Sequence, residues 1–329
     1  MIHILITGGC GFIGSNFINY LCDKYDDIFV LNIDKFDYAA NEEFIKCKND
    51  ASKYKRITGD ISDEKFILSC LQEHQINYII HFAAQTHVDN SFQNSIKFTE
   101  DNVLGTHHLL EAIRAYQKLK LFIHISTDEV YGEIDLQDDS CCEKSLLNPT
   151  NPYAATKACA EFLVKAYNYS FKLPYIIIRM NNVYGCNQYP EKLIPKFITL
   201  LLHDKKMTIH GKGDTRRNFI HARDASSAIM TILEHTMKNN ENQNKIYNIG
   251  SNNEYSVIDI AEMLLKDIKG HDEKIEDWIE FVEDRNFNDF RYSINSEKLK
   301  KLGWNESINF LDGIKETIEY YKVICMKKS

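Results

Sequence analysis

The sequence lacks any apolar run of transmembrane length, and its first residues contain no basic segment followed by a signal-type apolar stretch. It also lacks an excess of positive charge, since 47 acidic residues outnumber 39 basic ones for a net charge of −8. These absences argue against a membrane span, and against nucleic acid or an anionic membrane as the main partner. We therefore expect a cytoplasmic protein.

Paired cysteines are missing as well. The chain has 9 cysteines, an odd number, and no C-x-x-C pair, so neither a disulfide framework nor a zinc site is predicted. We expect reduced thiols and no bound metal. Internal repeats are also missing, and a length of 329 residues predicts a large core divided between two lobes.

The most informative stretch that is present is glycine-rich: Thr7–Gly14 reads TGGCGFIG. It follows the apolar run Ile2–Ile6, which predicts a buried strand, and precedes Ser15–Leu21, where apolar residues recur at helical spacing. Glycines between a strand and a helix allow a tight turn, close approach of a pyrophosphate and close packing of helix on strand. The N-terminus of the helix would also offer free N–H groups to phosphates. The alternative is an ordinary tight turn.

An acidic residue ends the next predicted strand. The run Ile28–Ile33 leads to Asp34, which lies 20 residues after Gly14. A carboxylate in that place hydrogen-bonds the ribose hydroxyls of NAD and repels the 2′-phosphate of NADP. The succession of strand, glycines, helix, strand and acid favours a dinucleotide site with NAD as the cofactor. The adjacent Lys35 leaves NADP open as an alternative.

Strand-like and helix-like patterns alternate through the first half of the chain, which is typical of an α/β protein with a doubly wound parallel sheet. Beyond residue 178 the alternation becomes irregular. We predict a Rossmann-type NAD-binding domain over residues 1–178 and a smaller α+β substrate-binding lobe over residues 179–329. Residues 217–235 are expected to return to the first domain, with Phe219–His221 rejoining its sheet.

Two carboxylates follow the predicted strand Leu121–Ser126, in the sequence STDEVYG. Ligands of open parallel sheets bind beyond the carboxyl ends of the strands. This predicts that Thr127, Asp128 and Glu129 lie at the mouth of the cofactor cleft. By spacing alone, a solvated loop or a helix cap is the commoner role of such a pair.

A tyrosine and a lysine share one face of a later helix. Asn151 and Pro152 predict the start of this helix, and Tyr153 and Lys157 then lie four residues apart within it. A neighbouring ammonium favours the phenolate, which can take a proton from a sugar hydroxyl. The alternative is a packing tyrosine with a solvated lysine. Because the pair follows both the glycine stretch and STDEVYG, we favour the catalytic interpretation.

The order of several segments along the chain is informative: TGGCGFIG, HFAAQTHVDNS, STDEVYGE, NPYAATKA, and NNVYG followed by NQYPEKLIPKF. In this order they resemble the nucleotide-sugar 4,6-dehydratases of the extended short-chain dehydrogenase/reductase family, almost from end to end. The T-D-E triplet is the specific part, because related epimerases typically lack that acid pair. NNVYG, PEKLIPKF and FVEDRNFNDFRY with KKLGW are most similar to the UDP-glucose dehydratase part of plant rhamnose synthases.

The resemblance implies a reaction: NDP-glucose loses water to give NDP-4-keto-6-deoxyglucose, with tightly bound NAD as an internal hydride carrier, as a first step of nucleotide-rhamnose synthesis. Relatives that act on dTDP-glucose usually read S-N-N-Y-G and D-R-P-G-H. Here Val183 replaces the second of those asparagines and Asn286-Phe287-Asn288 replaces P-G-H, which favours UDP-glucose over dTDP-glucose. The alternatives are a nucleotide-sugar 4-epimerase on the same fold and a non-catalytic NAD-sensing module.

Five catalytic residues are implied by the resemblance. Tyr153 removes the C4 hydroxyl proton as hydride passes from C4 to NAD, and Lys157 lowers the pKa of Tyr153 and holds the nicotinamide ribose. Thr127 hydrogen-bonds the C4 oxygen. Glu129 then removes the C5 proton, and Asp128 protonates the C6 hydroxyl so that water leaves. Two adjacent carboxyls in opposite protonation states are physically reasonable, because close carboxyls disfavour double ionisation.

The resemblance also implies binding residues. Those for NAD are Gly8, Gly11, Phe12, Ile13, Gly14, Asp34, Lys35, Asp60, Ile61, Ala83, Ala84, Tyr153 and Lys157. Those for the nucleotide sugar are Thr86, Thr127, Asn182, Lys192, Leu193, Arg217, Asn253, Arg285 and Arg291. The arginines suit a pyrophosphate through forked hydrogen bonds. A homodimer joined by the helices that contain Asn102–Tyr116 and Pro152–Phe171 is implied as well.

Overall fold

The structure is a computed structural model that describes residues 1–239, 243–284 and 288–326. The strands are β1 (Ile2–Thr7), β2 (Ile28–Asp34), β3 (Tyr54–Thr58), β4 (Tyr78–His81), β5 (Leu121–Thr127), β6 (Tyr175–Met180), β7 (Asn182–Tyr184), β8 (Met207–His210), β9 (Arg216–His221), β10 (Lys245–Ile249), β11 (Glu254–Ser256) and β12 (Ile279–Val282). The α-helices are α1 (Phe12–Lys24), α2 (Glu64–Glu73), α3 (Val88–Gln93), α4 (Ser95–Phe98), α5 (Gly105–Tyr116), α6 (Pro152–Phe171), α7 (Leu193–Leu202), α8 (Ala222–Lys238), α9 (Val257–Ile268), α10 (Ile275–Trp278), α11 (Glu297–Lys300) and α12 (Phe310–Met326).

Seven strands form one sheet in the order β10-β6-β5-β4-β1-β2-β3, and the paired strands are parallel. Their sequences are nearly continuous apolar runs, such as Ile176–Ile178, which is completely buried. Such runs are expected where helices cover both faces of a parallel sheet. The chain winds outward from β1 in both directions, so a crevice opens at the carboxyl ends of β1 and β4.

Helices cover both faces of this sheet. One face packs against α1 and α8, whose buried members include Phe17, Ile18, Ile229 and Ile232. The other face packs against α2, α5 and α6. This architecture confirms the predicted Rossmann-type fold. Among the helices of the described residues, none is both long and apolar enough to cross a membrane.

A second core belongs to the later part of the chain. Residues of α7, α9 and α12 pack there with residues of β8, β9 and β12. Two small sheets accompany it, with strand orders β11-β9-β7 and β12-β8.

One prediction about this region is wrong. Phe219–His221 lies in β9 and pairs with β7 and β11 rather than rejoining the main sheet. The free edge of β6 is taken instead by β10, where Lys245 stands opposite Ile176. The helix that follows β9 does pack on α1 in the first core. Helix α8 therefore lies in the first core, whereas β9 belongs to a small sheet.

The predicted helix Asn102–Tyr116 begins irregularly. Residues Thr99–Leu104 form a π-helical segment, and regular α5 starts only at Gly105. The side chain of Asn102 accepts a hydrogen bond from the Gln85 N–H at 2.7 Å and donates to the Gln85 carbonyl at 3.0 Å and to the Thr156 hydroxyl at 3.0 Å. Through these contacts, the Asn102 side chain in the π-helical segment links the segment after β4 to α6.

Cysteine pairing differs from the expectation of reduced thiols throughout. Cys22 near the end of α1 forms a disulfide with Cys47. The two meet because the segment around Cys47 is held on α1 by Asn19, whose side chain donates to the Phe44 carbonyl and accepts from the Lys46 N–H, both at 2.8 Å. The cysteines outside this disulfide are Cys10, Cys70, Cys141, Cys142, Cys159, Cys186 and Cys325.

Candidate active site

A cavity of about 670 Å³ lies at the carboxyl ends of β1, β2, β4 and β5, with residues of the second core on its other side. Most of the residues predicted for the cofactor and the catalytic steps line it, as do several predicted for the substrate. They are Gly8, Gly11, Phe12, Ile13, Gly14, Asp34, Lys35, Asp60, Ile61, Ala83, Ala84, Thr86, Thr127, Glu129, Tyr153, Lys157, Asn182, Lys192 and Leu193.

The glycine turn forms the floor of this cavity. Gly8 has a φ of +70°, and a Cβ there would lie 2.7 Å from the Ala83 backbone, so no side chain fits. A Cβ on Gly14 would lie 2.5 Å from the Gly8 carbonyl oxygen. Helix α1 starts after Gly11 with no side chain capping its N-terminus. The first N–H groups of α1 are therefore available to an anion, and the dipole of the helix favours one.

Asp34 closes the adjoining end of the cavity. Its carboxylate accepts hydrogen bonds from the N–H of Cys10 at 2.9 Å and of Phe36 at 2.8 Å. Burial raises the pKa of Asp34, and these hydrogen bonds and the charge of Arg56 oppose that rise. The neighbouring Lys35 ammonium is paired with Asp101 at 2.8 Å. The positive charge beside Asp34 is therefore already neutralised by a carboxylate.

Lys157 contributes a buried ammonium to the wall of the cavity. Its side chain is only 4% exposed, and within the described part of the chain it makes no hydrogen bond or ion pair. Burial lowers the pKa of Lys157 to about 8, opposed only by the charge of Glu161. A buried ammonium without a partner is costly. This group therefore suits a ligand that brings oxygen atoms to it, such as the hydroxyls of a ribose.

Tyr153 lies on the same cavity and is 8% exposed. The pKa of Tyr153 is raised by burial and by the charge of Glu129, lowered by the nearby Thr127 hydroxyl, and raised further by the charge of Asp128. The predicted lowering of this pKa by Lys157 is not seen here, because the two carboxylates and desolvation dominate around the phenol.

The acid pair sits in a short 3₁₀ helix, Asp128–Tyr131, directly after β5. The Asp128 carboxylate accepts from the Asn181 side chain at 2.7 Å and from the Thr127 hydroxyl at 3.2 Å, and Glu129 accepts from the Asn151 side chain at 2.9 Å. The Thr127 hydroxyl also accepts from the Glu129 N–H at 3.3 Å, so the threonine, and not a carboxylate of the pair, caps this short helix. Glu129 lines the cavity, and Asp128 lies buried just behind it.

Burial controls the titration of this pair. It raises the pKa of Asp128 to about 6, against the hydrogen bonds from Asn181 and Thr127. It raises the pKa of Glu129 to about 7, and the charge of Asp128 adds to that rise. A solvated cap would titrate near its ordinary value. The two carboxyls instead share one proton at roughly pH 6 to 7, which is the condition that acid–base work by a pair requires.

The predicted set omitted two asparagines that hold the acid pair. Asn151 caps α6 with its side-chain oxygen, which accepts from the Ala154 N–H at 2.8 Å, while its amide nitrogen binds Glu129. Asn181 follows β6 and binds Asp128. The first was visible in the sequence only as a helix cap. The second is the first asparagine of NNVYG, beside the residue predicted for the substrate, Asn182.

The predicted substrate residues divide into two groups. Thr86, Asn182, Lys192 and Leu193 line the cavity, and the Lys192 ammonium donates to the Thr86 carbonyl at 3.0 Å, across from one lobe to the other. Arg217, Asn253 and Arg291 do not line it. Arg285, together with Asn286 and Phe287, lies outside the described residues.

Local polar contacts explain why the second group stays away from the cavity. Arg217 donates to the backbone carbonyls of Asp289 and Phe290, although its charge still lowers the pKa values of both acid-pair carboxyls. Asn253 donates to Glu306 at 2.8 Å. Arg291 donates to Glu254 at 2.6 Å.

Comparison with known proteins places this site in a family. The sequence profile of the family described as GDP-mannose 4,6 dehydratase matches residues 5–317. A protein of Dictyostelium discoideum named dTDP-D-glucose 4,6-dehydratase is 44% identical over 358 residues, covering 97% of this chain and 81% of that relative.

Two further relatives widen the comparison. A trifunctional protein of Arabidopsis thaliana whose name includes UDP-glucose 4,6-dehydratase is 46% identical over 321 residues, and the match covers 97% of this chain but 47% of that protein. The crystal structure of a dTDP-glucose 4,6-dehydratase from Streptomyces venezuelae with NAD bound superimposes with a TM-score of 0.90 at 34% identity, covering 98% of this chain and 97% of the other. The resemblance found in the sequence is thus confirmed, and the chain belongs to the GDP-mannose 4,6 dehydratase family.

Proposed function

We propose that this protein is a hydro-lyase that converts an NDP-glucose, with UDP-glucose preferred over dTDP-glucose, to NDP-4-keto-6-deoxyglucose and water, in the cytoplasm. The observation that carries the proposal is the acid pair beside the tyrosine and the lysine: Glu129, Tyr153 and Lys157 line one cavity, and Asp128 lies buried behind Glu129. A 4-epimerase would use the tyrosine and the lysine, but its reaction would give no role to the two partly protonated carboxyls. Relatives named as 4,6-dehydratases support the same reaction.

NAD is the proposed cofactor, and the residues present fit it. The uncapped start of α1 suits the pyrophosphate, Asp34 suits the adenosine ribose, and the unpartnered Lys157 ammonium suits the nicotinamide ribose. Because Asp101 pairs with Lys35, that lysine offers little to the 2′-phosphate of NADP. When bound, NAD would supply a hydride acceptor that later returns the hydride to the sugar.

Tyr153 is proposed to take the proton of the C4 hydroxyl, and Thr127 to hold the C4 oxygen. The Thr127 hydroxyl lowers the pKa of Tyr153, so a sugar hydroxyl between the two residues could hydrogen-bond to both. Ionised carboxylates beside Tyr153 raise its pKa. Proton abstraction is therefore easiest when the acid pair holds a proton, which reduces the negative charge near the phenol.

Glu129 is proposed to remove the C5 proton and Asp128 to protonate the leaving C6 hydroxyl. The charge of Asp128 adds to the raised pKa of Glu129, which favours the shared proton on Glu129 before the sugar binds. The proposed roles need the opposite distribution. Substrate binding must therefore move the proton to Asp128, so that Glu129 becomes the base and Asp128 the acid.

The proposed preference for UDP-glucose rests on the differences from the S-N-N-Y-G and D-R-P-G-H segments and on the position of one differing residue, Val183. Val183, which replaces the usual asparagine, lies in β7 and lines the cavity while packing in the first core. The Arabidopsis relative, whose name includes UDP-glucose 4,6-dehydratase, supports the same preference. The product would serve as a precursor for nucleotide-linked rhamnose, as the names of such relatives suggest.

Turnover of UDP-glucose and dTDP-glucose, compared on one preparation, tests the proposal. We expect a 4-keto-6-deoxy product from both, with kcat/KM at least several-fold higher for UDP-glucose. Higher kcat/KM for dTDP-glucose would overturn the nucleotide preference. Formation of UDP-galactose without a keto sugar would replace the dehydratase by a 4-epimerase.

A homodimer is proposed through α5 and α6. Helix α6 carries exposed aromatic residues: Phe162 is 58% and Tyr169 82% exposed. Aromatic side chains of this kind are enriched at protein interfaces. Light scattering should give twice the chain mass, and Phe162→Asp should shift the protein toward the monomer. A wild-type monomer at micromolar concentration would contradict the dimer.

A further inference from the structure

A buried ion pair lies behind the catalytic residues and takes no part in the proposed chemistry. Glu161 is completely buried and Arg179 is 1% exposed. The Arg179 guanidinium donates to both oxygens of Glu161, from Nε at 2.9 Å and from Nη2 at 2.5 Å. Its Nη1 donates to the Tyr131 hydroxyl at 2.7 Å, and the Ser126 hydroxyl donates to Glu161 at 2.7 Å.

Each member of this network is a close chain neighbour of a residue in the site. Ser126 directly precedes Thr127, and Tyr131 closes the short helix that begins with Asp128. Arg179 lies two residues before Asn181, which binds Asp128. Glu161 lies one helical turn after Lys157 in α6. The network therefore joins the three elements that carry the acid pair, its asparagine partner and the Tyr153–Lys157 pair.

Electrostatics link the same carboxylate to Lys157. His81 from β4 and His124 from β5 face Lys157, and both are fully buried with lowered pKa values, which keeps them neutral. Only the charge of Glu161 favours the charged form of the Lys157 ammonium against burial. The outer side of Glu161 meets the partly exposed Lys165 at 3.8 Å.

We propose that Glu161 is a positioning residue of this site: held by Arg179, it fixes the turn of α6 that bears Lys157 against β5 and the acid-pair helix, and it places a carboxylate one helical turn from the Lys157 ammonium. This inference rests on the proposed function only in the role of Lys157, which is proposed to bind the nicotinamide ribose. Replacing both members of a buried ion pair by neutral residues often leaves stability unchanged, whereas removing one partner is strongly destabilising. If the pair were purely structural, the double variant would therefore recover activity together with stability.

The test uses Glu161→Gln, Arg179→Met, the double variant of both, and Lys165→Met as the matched control that contacts the same carboxylate from the exposed side. Thermal unfolding reports stability. The pH dependence of Lys157 acetylation by acetic anhydride, read by peptide mass spectrometry on the full chain without added nucleotide, reports its titration. Steady-state kinetics on NDP-glucose with NAD present separate kcat from KM.

We expect the double variant to melt within a few degrees of wild type while its kcat falls at least about 10-fold and its KM changes less than about twofold. In Glu161→Gln and in the double variant, the midpoint of Lys157 acetylation should shift by about one pH unit to lower pH. Lys165→Met should match wild type in all three measurements.

Recovery of wild-type kcat in the double variant, or an unshifted acetylation midpoint in Glu161→Gln, would overturn the positioning role. The acetylation experiment needs no substrate. A shifted midpoint in a protein that turns over no NDP-glucose would therefore support the coupling of Glu161 to Lys157 while the proposed function fails.

Discussion

At the scale of single residues, the protonation of Asp128 and Glu129 depends on the groups that surround these two carboxyls. Asp128 is 3% exposed, and it and Glu129 each receive an asparagine amide. The sequence shows the two acids because they are adjacent. It does not show their partners, since Asn151 and Asn181 lie 22 and 53 residues away from the acids that they bind. Contacts across such distances are set by packing and not by local pattern.

The raised pKa of Asp128 predicts an unusual effect of pH on stability. A carboxyl whose folded-state pKa is raised from 3.8 to about 6 stabilises the fold fully below pH 4, and that stability is lost as the pH rises through 6. Asp128→Asn removes this loss. We expect the variant to gain up to about 3 kcal/mol at pH 8, since one pKa unit corresponds to about 1.4 kcal/mol, and little or nothing at pH 4. Thermal unfolding at the two pH values measures the difference.

The same variant separates two steps of the reaction. Tyr153 and Lys157 remain, so partial reduction of bound NAD on adding NDP-glucose should persist while no water is lost from the sugar. Absorbance of the reduced nicotinamide and product analysis measure the two effects. Asp139→Asn, at an exposed acid, is the control and should change neither stability nor activity. A variant that also loses NAD reduction would contradict the separate roles of Tyr153 and Asp128.

At the scale of elements, the unit of strand, glycine turn and helix was the most predictable part of the molecule. Apolar runs and glycine spacing are local signals, and β1, α1 and β2 appear where they indicate. The π-helical start before α5 was not predictable, because the sequence Asn102–Tyr116 has ordinary helical spacing. The irregularity arises from the Asn102 contacts with Gln85 and Thr156, which the fold brings together.

Two glycines of the turn should respond differently to alanine. A Cβ on Gly14 meets the Gly8 carbonyl oxygen at 2.5 Å and the Gly9 Cα at 2.8 Å, whereas a Cβ on Gly11 meets only the Gly8 oxygen, at 3.3 Å. Backbone atoms cannot move aside cheaply, so Gly14→Ala should cost about 1–3 kcal/mol of stability. Gly11→Ala should cost well under 1 kcal/mol and still weaken NAD binding, because its methyl group stands at the start of α1. Melting curves and NAD titration measure both.

Gly14→Ala and Gly11→Ala serve as controls for each other, because both add one methyl group to the same turn. Equal destabilisation by the two substitutions would contradict the packing role assigned to Gly14. Unchanged NAD affinity in Gly11→Ala would contradict the phosphate site assigned to the start of α1.

At the scale of the whole molecule, the sequence predicted the sheet and one side of the cavity better than the other side. The residues of the first core line the cavity as expected, while Arg217 and Arg291 bind backbone and Glu254 instead. The second lobe is built from short strands paired across the chain, and β9 joined β7 and β11 rather than the main sheet. Short strands carry weak local signals, and their partners are decided by which edges remain free.

We propose that Asp128 and Glu129 make this NAD site a dehydratase. The most direct measurement is turnover of UDP-glucose in heavy water, followed by mass and NMR analysis of the product. We expect a 4-keto-6-deoxy sugar that carries deuterium at C5, because Glu129 exchanges the proton that it removes there. A product that keeps its C5 hydrogen, or the formation of no keto sugar, would rule out the proposed dehydration.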